Sequence, residues 1–176
     1  MKVDPTRSVI ETERLQLRHL TPDDAPFILD LLNQPSFLQF IGDRGVRTLD
    51  DARQYIAQGP ATSYERHGFG LYLTALKASG EPVGLCGLIK RDTLPDVDVG
   101  YAFLPQFWAK GYATEAVTAV LAYGRYTLSI PRIVAIVNPD NAGSIAVLQK
   151  VGLRFEKTVR LSEEQAEIFL FGPSED

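Results

Sequence analysis

Gln106-Phe107-Trp108-Ala109-Lys110-Gly111-Tyr112-Ala113-Thr114-Glu115-Ala116 follows an apolar, strand-like run and leads directly into an amphipathic helical pattern. The first turn of a helix leaves its N–H groups without internal partners, and the aligned peptide dipoles add partial positive charge there. A glycine-bearing loop at such a start is therefore suited to an anion, a pyrophosphate among them. The spacing is not that of a Walker A loop, because Lys110 precedes Gly111 and Tyr112 follows it. A G-x-G-x-x-G dinucleotide fingerprint is also missing. Taken alone, the loop does not name its ligand, and a plain tight turn with Trp108 packed beside it is the simpler explanation.

Working outward, Asp96 to Leu104 reads as the strand that enters the loop, and Tyr112 to Tyr126 as the helix that leaves it. Ala113, Ala116, Val117, Val120, Leu121 and Gly124 line one face of that helix. Arg132 to Val137 is a β-branched run of the kind found in buried strands. Asn138-Pro139-Asp140-Asn141 ends it, a helix spans about Ala142 to Val151, and Gly152 stops that helix. Upstream, Arg14 to His19 alternates as a half-buried strand. Thr21-Pro22-Asp23-Asp24 and Thr48-Leu49-Asp50-Asp51 have the hydroxyl and acids of helix starts. The second helix is expected to break at Gly59-Pro60, with a short helical continuation through Tyr64 to Arg66. Gly70 to Leu76 and Val83 to Ile89 form a hairpin pattern across Ala78-Ser79-Gly80-Glu81. Phe155 to Leu161 and Glu167 to Phe171 read as a closing antiparallel pair. Seven strands and several helices in 176 residues, with no repeat or linker, predict one α/β domain over 1–176.

A net charge of -4, from 18 basic and 22 acidic residues, argues against general nucleic-acid binding, which needs a basic surface. Cys86 is the single cysteine, so neither an intramolecular disulfide nor a thiolate zinc cluster can form, and no metal is expected. The start, Met1-Lys2-Val3-Asp4-Pro5, has no apolar signal core, and no apolar run approaches membrane length. These features predict a cytoplasmic protein with no membrane association.

The loop pairs with a second segment, Asn138-Pro139-Asp140-Asn141-Ala142-Gly143-Ser144 through Lys150-Val151-Gly152-Leu153. Together they resemble the GNAT superfamily of N-acetyltransferases, from Arg14 to about Phe171. The nearest pattern is that of the RimJ/RimL-like ribosomal-protein alanine N-acetyltransferases, W-G-K-G-Y-A-T-E-A and N-P-x-N-x-x-S. The resemblance implies a mixed, twisted sheet of about seven strands with helices on both faces. It also implies a V-shaped splay between Asp96 to Leu104 and Arg132 to Val137, the fourth and fifth strands. Acetyl-CoA is the implied cosubstrate. Its pantetheine would pair with the backbone of Ala102, Phe103 and Leu104, and its pyrophosphate would lie on the amides of Ala109, Lys110, Gly111, Tyr112, Ala113 and Thr114. Asn138, Asn141 and Ser144 would complete the cofactor site. Ala109 stands where the superfamily commonly has glycine, which is tolerable if its backbone angles are ordinary.

Many GNAT enzymes carry a tyrosine acid at the position of Leu148, so Ser144 becomes the implied acid here. Asn141 and Ser144 are equally good helix caps by residue type alone. Asp98, in Asp96-Val97-Asp98-Val99-Gly100-Tyr101, is the candidate base for the attacking amine, against a plain solvated acid near an edge. Phe37, Phe40, Ile41 and Tyr64 are candidates for an acceptor pocket or for core. Transfer of acetyl to a primary amine, a protein N-terminus or a small molecule, by direct attack in a ternary complex is the implied activity. An acyl-CoA sensor that keeps the fold without turnover is the alternative. A monomer or a homodimer fits either reading.

Overall fold

The computed structural model describes residue 4 and residues 6–174. The N-terminal stretch over 1–5 considered above lies, apart from Asp4, outside the described residues. Eight strands form one sheet: β1 Ser8–Glu11, β2 Leu15–Arg18, β3 Leu71–Leu76, β4 Pro82–Ile89, β5 Val97–Phe103, β6 Ile133–Val137, β7 Leu153–Val159 and β8 Ile168–Pro173. Their order is β1-β2-β3-β4-β5-β6-β8-β7, antiparallel except between β5 and β6. One strand more is present than the seven expected, because Ser8–Glu11 pairs with β2. Four residues that alternate incompletely give too little pattern to read as a strand.

The helices are α1 Ala25–Leu32, α2 Pro35–Phe40, α3 Leu49–Ile56, α4 Thr62–His67, α5 Tyr112–Ala122 and α6 Ala142–Lys150. They cover both faces. α1 and α3 bury Ala25, Ile28, Leu31, Leu32, Ala52 and Ile56 against Leu73, Ala75 and Leu85. α5 and α6 bury Ala116, Val117, Val120, Leu121 and Leu148 against Tyr72, Cys86, Leu88 and Val99 on the other face. With both faces covered, β4 has six consecutive buried residues, which explains its unbroken apolar run. Thr48 caps α3 as read: its Oγ1 accepts the Asp51 N–H at 3.0 Å, and Asp51 Oδ2 accepts the Thr48 N–H at 3.1 Å.

Gly59-Pro60 does not break the chain's helical path. Residues Ala57–Ala61 form a π-helical turn that joins α3 to α4. The wider turn accommodates a proline that a regular α-helix would exclude, since proline lacks an N–H and crowds the carbonyl four residues back. Cys86 is fully buried, and burial pushes its thiol well above the ordinary range, so it is a core residue.

The feature that positions the site is the parting of β5 from β6. Val97 pairs with Ile133 and Asp98 with Val134, and there the register ends. Beyond it β5 continues to pair with β4 as far as Phe103, while β6 pairs on its far edge with β8 through Ala135, Ile136 and Val137. The splay expected between these strands is therefore present, with its vertex at Asp98 and Val134.

Gly87 tests how tightly β3 and β4 are joined. A Cβ built there would fall on the Gly70 carbonyl oxygen, which is backbone and cannot swing away. Gly87→Ala is expected to lose about 2–3 kcal/mol of stability, read as a lower urea midpoint with an unchanged slope.

Candidate active site

The open edge of β5 follows from antiparallel alternation. Leu104 N–H donates to the Val83 carbonyl at 2.9 Å, while the Leu104 carbonyl accepts the Phe107 N–H at 2.9 Å; two residues back, Ala102 turns its backbone groups toward β4. Val99, Tyr101 and Phe103 turn theirs toward the gap. This corrects the expected pantetheine edge of Ala102, Phe103 and Leu104. Phe103 alone of the three faces the splay, and its carbonyl is occupied by the Trp108 indole N–H at 2.9 Å. Trp108 is otherwise half exposed, a brace between loop and strand end rather than a packed core residue.

After a short turn at Pro105–Phe107 the chain passes through Ala109 at φ +60° and Gly111 at φ +83° into α5. Ala109 thus has a left-handed backbone, not the ordinary angles that would make its methyl group harmless. The first N–H to bond back is that of Glu115, to the Gly111 carbonyl at 3.0 Å. The amides from Ala109 to Thr114 consequently have no backbone acceptor among the described residues, and they gather at the positive end of α5.

A clamp from the turn between β1 and β2 holds this loop, and nothing in the local sequence announces it. Arg14 donates through Nε to Glu115 Oε1 at 2.7 Å and through its guanidinium to the Lys110 carbonyl at 2.9 Å. Its backbone N–H reaches Glu115 Oε2 at 2.9 Å, and Thr12 Oγ1 donates to the same oxygen at 2.5 Å. The guanidinium also lies 4.4 Å from the centroid of the Tyr112 ring. Partial burial pushes the Glu115 carboxyl up, but the hydrogen bonds from Thr12 and Arg14 outweigh it and hold the group below its ordinary range. The one acid in the first turn of α5 is in this way neutralised against its own helix.

Across the gap, Asn138 Oδ1 accepts the Asp140 N–H at 2.8 Å, and Asn141 Oδ1 caps α6 by accepting the Ser144 N–H at 3.2 Å. Ser144 Oγ lies 2.5 Å from the Tyr101 hydroxyl, which also donates to the Ser144 carbonyl at 3.2 Å. The Tyr101 side chain carries no local signal of this role, because its partner lies 43 positions away. Burial lifts the phenol well above its ordinary range, and the Ser144 bond pulls it back only in part. Leu148 is completely buried, so the position that carries an acid in many GNAT enzymes is core here.

Asp98 is not a solvated acid near an edge. It lies on a central strand and is 1% exposed, with Arg91 Nε 2.9 Å from one carboxylate oxygen and a second guanidinium nitrogen 3.4 Å from the other. Burial raises its pKa, and Arg91 lowers it in part. Side-chain alternation puts Asp98 on the α1–α3 face with Ala102, whereas Tyr101 and Ser144 lie on the α5–α6 face. The two candidate catalytic residues are therefore on opposite sides of β5. Among the acceptor-pocket candidates, Phe37 is core, and the Tyr64 hydroxyl is tied to the Leu20 N–H and the Leu71 carbonyl. Phe40 is half-buried and Ile41 is exposed. Among the described residues, no group of three or more His, Cys, Asp or Glu could hold a metal, and no helix is long and apolar enough to cross a membrane.

Residues 14–154 match the family model for the acetyltransferase (GNAT) domain. The uncharacterized N-acetyltransferase YoaA of Bacillus subtilis (strain 168) is 28% identical over 154 residues, 86% of each chain. An acetyltransferase from Agrobacterium tumefaciens str. C58 superposes with a TM-score of 0.80 at 23% identity, over 99% of this chain and 96% of that one. RimL, a ribosomal alpha-N-protein acetyltransferase solved in complex with coenzyme A, superposes with a TM-score of 0.80 at 19% identity. That superposition covers 94% of this chain and 97% of RimL. The two structural likenesses speak to the fold.

The Glu115 clamp generates a pH signature. A carboxyl held below its ordinary value stabilises the fold above that value and loses the contribution as pH falls through the folded one. Glu115→Gln is expected to lose about 1 kcal/mol at neutral pH. Between about pH 5 and pH 3 its urea midpoint should fall less steeply than that of the wild type.

Proposed function

The chain belongs to the acetyltransferase (GNAT) family, and on that premise we propose that it moves the acetyl group of acetyl-CoA to a primary amine, with a protein N-terminus as acceptor. The observation that carries this reading is the junction of an open strand edge with a cluster of unpaired amides. β5 and β6 part beyond Asp98 and Val134, and the Ala109–Thr114 amides stand at the mouth of the gap. An extended chain ending in a pyrophosphate has both requirements met there. Val99 and Tyr101 and the Phe103 N–H offer strand-like pairing, and the start of α5 offers an anion seat. The likeness to RimL supports a protein N-terminal amine over a small molecule, in keeping with the RimJ/RimL-like form of the loop.

Acetyl-CoA supplies an activated thioester that an amine can attack directly. The cleft has no nucleophile with a matched base for an acyl-enzyme, which favours a ternary complex. An N–H on the open edge of β5 would stabilise the negative charge that grows on the thioester oxygen. With both Asp98 oxygens on Arg91, the amine proton leaves through water, and the Asp98–Arg91 pair shapes the closed end of the cleft. Ser144 is the group that meets the sulfur. Asn141 and Asn138 set the start of α6 around it through their caps and turns.

Calorimetric titration with acetyl-CoA, CoA and ATP, followed by CoA release across a panel of peptide N-termini and small amines, tests the reading. Acetyl-CoA should bind more tightly than ATP, and peptides should drive CoA release. Binding without release from any amine would favour the sensor instead. Gly111→Ala, which forces a side chain into a left-handed backbone 3.2 Å from the Arg14 guanidinium, should weaken acetyl-CoA binding about tenfold.

A further inference from the structure

Among the described residues, one side-chain link spans the open part of the splay. Tyr101 projects from β5, one wall of the gap, and Ser144 from the first turn of α6, which continues from the other wall. Their hydroxyl oxygens are 2.5 Å apart, three residues beyond the last β5–β6 pairing at Asp98. Two proton arrangements satisfy this geometry. In one, Tyr101 donates to the Ser144 carbonyl at 3.2 Å and accepts the Ser144 hydroxyl proton. In the other, Tyr101 donates to Ser144 Oγ, which frees the serine proton for a third group in the cleft. A hydroxyl rotation interconverts them, and no buried polar group is stranded in either.

We propose that this pair is the proton path for the departing thiolate: Ser144 gives its proton to the sulfur, and Tyr101 positions and recharges Ser144. The inference rests on the acetyl-transfer reading above and adds a residue to it. As the amine nitrogen bonds to the thioester carbon and the carbon–sulfur bond breaks, the Ser144 Oγ proton passes to sulfur and the Tyr101 proton passes to Oγ. The proton shed by the nitrogen returns to Tyr101 through cleft water, so both hydroxyls end as they began. The net transfer is one proton from nitrogen to sulfur, with no change in the charge of the protein. Because burial keeps the phenol protonated throughout the working pH range, Tyr101 always has a proton to donate. Tyr101 acts through Ser144 and is a positioning residue, while Ser144 touches the leaving group.

The test titrates the thiol of CoA bound at saturation, followed by thiolate ultraviolet absorbance, and so needs no acceptor. Donation to the thiolate should hold the midpoint in the wild type below that of free CoA. Tyr101→Phe and Ser144→Ala should each raise it by about one pH unit, and the double variant should go no higher than Ser144→Ala, since the two act as a unit. A Tyr101→Phe midpoint equal to that of the wild type, with CoA affinity unchanged, overturns the proposal. A fluorinated tyrosine at position 101 keeps the ring and hydroxyl but donates more strongly, and should lower the midpoint; an unmoved midpoint there also overturns it. A wild-type protein that bound no CoA would instead remove the acetyl-transfer reading itself.

Discussion

The loss of backbone pairing between β5 and β6 is the constraint on which the rest of the molecule depends. A strand edge in the middle of a sheet is an unusual place for unmet N–H and C=O groups, because buried backbone is almost always paired. Here the chain keeps the edge open by giving each strand a different partner beyond Asp98 and Val134. β5 follows β4, and β6 follows β8. Neither strand is strained by the separation, since each retains a full ladder on its other side.

The closed end of the gap is held by charge on both sides of the vertex. Arg132 reaches Asp96 at 3.2 Å and also contacts Glu156 of β7, tying the starts of β5 and β6 to the far edge of the sheet. Arg91, just past the end of β4, holds Asp98 one step further along β5. Removing Arg91 would leave the buried Asp98 carboxylate uncompensated, so that pair is better understood as a fixed corner than as a reagent. The mouth is held differently, by Arg14 and Thr12 on Glu115 and by the Trp108 indole on Phe103. One end of the cleft is therefore pinned by ion pairs between strands, and the other by side chains that fasten a loop.

What was legible in the sequence was whatever chemistry acts over a few residues. The helix start at Thr48, the stop at Gly152, the tight turn at Gly111 and the apolar run of β4 all follow from local rules, and all are present. Paired segments far apart in the chain gave the family and with it the splay. What was not legible depended on who covers whom. Alternation assigned Asp98 a side of the strand, but only the helices packed there turn that side into a buried ion-pair site. The hydroxyl partner of Ser144, the guanidinium on Glu115 and the β4-facing backbone of Ala102 are likewise products of tertiary register. Ala109 and Gly59-Pro60 are illegible for a different reason: each adopts a backbone that its residue type disfavours, a left-handed alanine and a proline within a helical path.

Trp108 is the one tryptophan in the chain, and its indole is hydrogen-bonded at the lip of the cleft while half of its surface meets solvent. Its fluorescence therefore reports on one place. Any molecule that settles on the loop changes the polarity around that indole or the bond it makes to Phe103. The protein thus carries an intrinsic optical probe at the mouth of its own cleft, with no second emitter of the same kind to blur the signal.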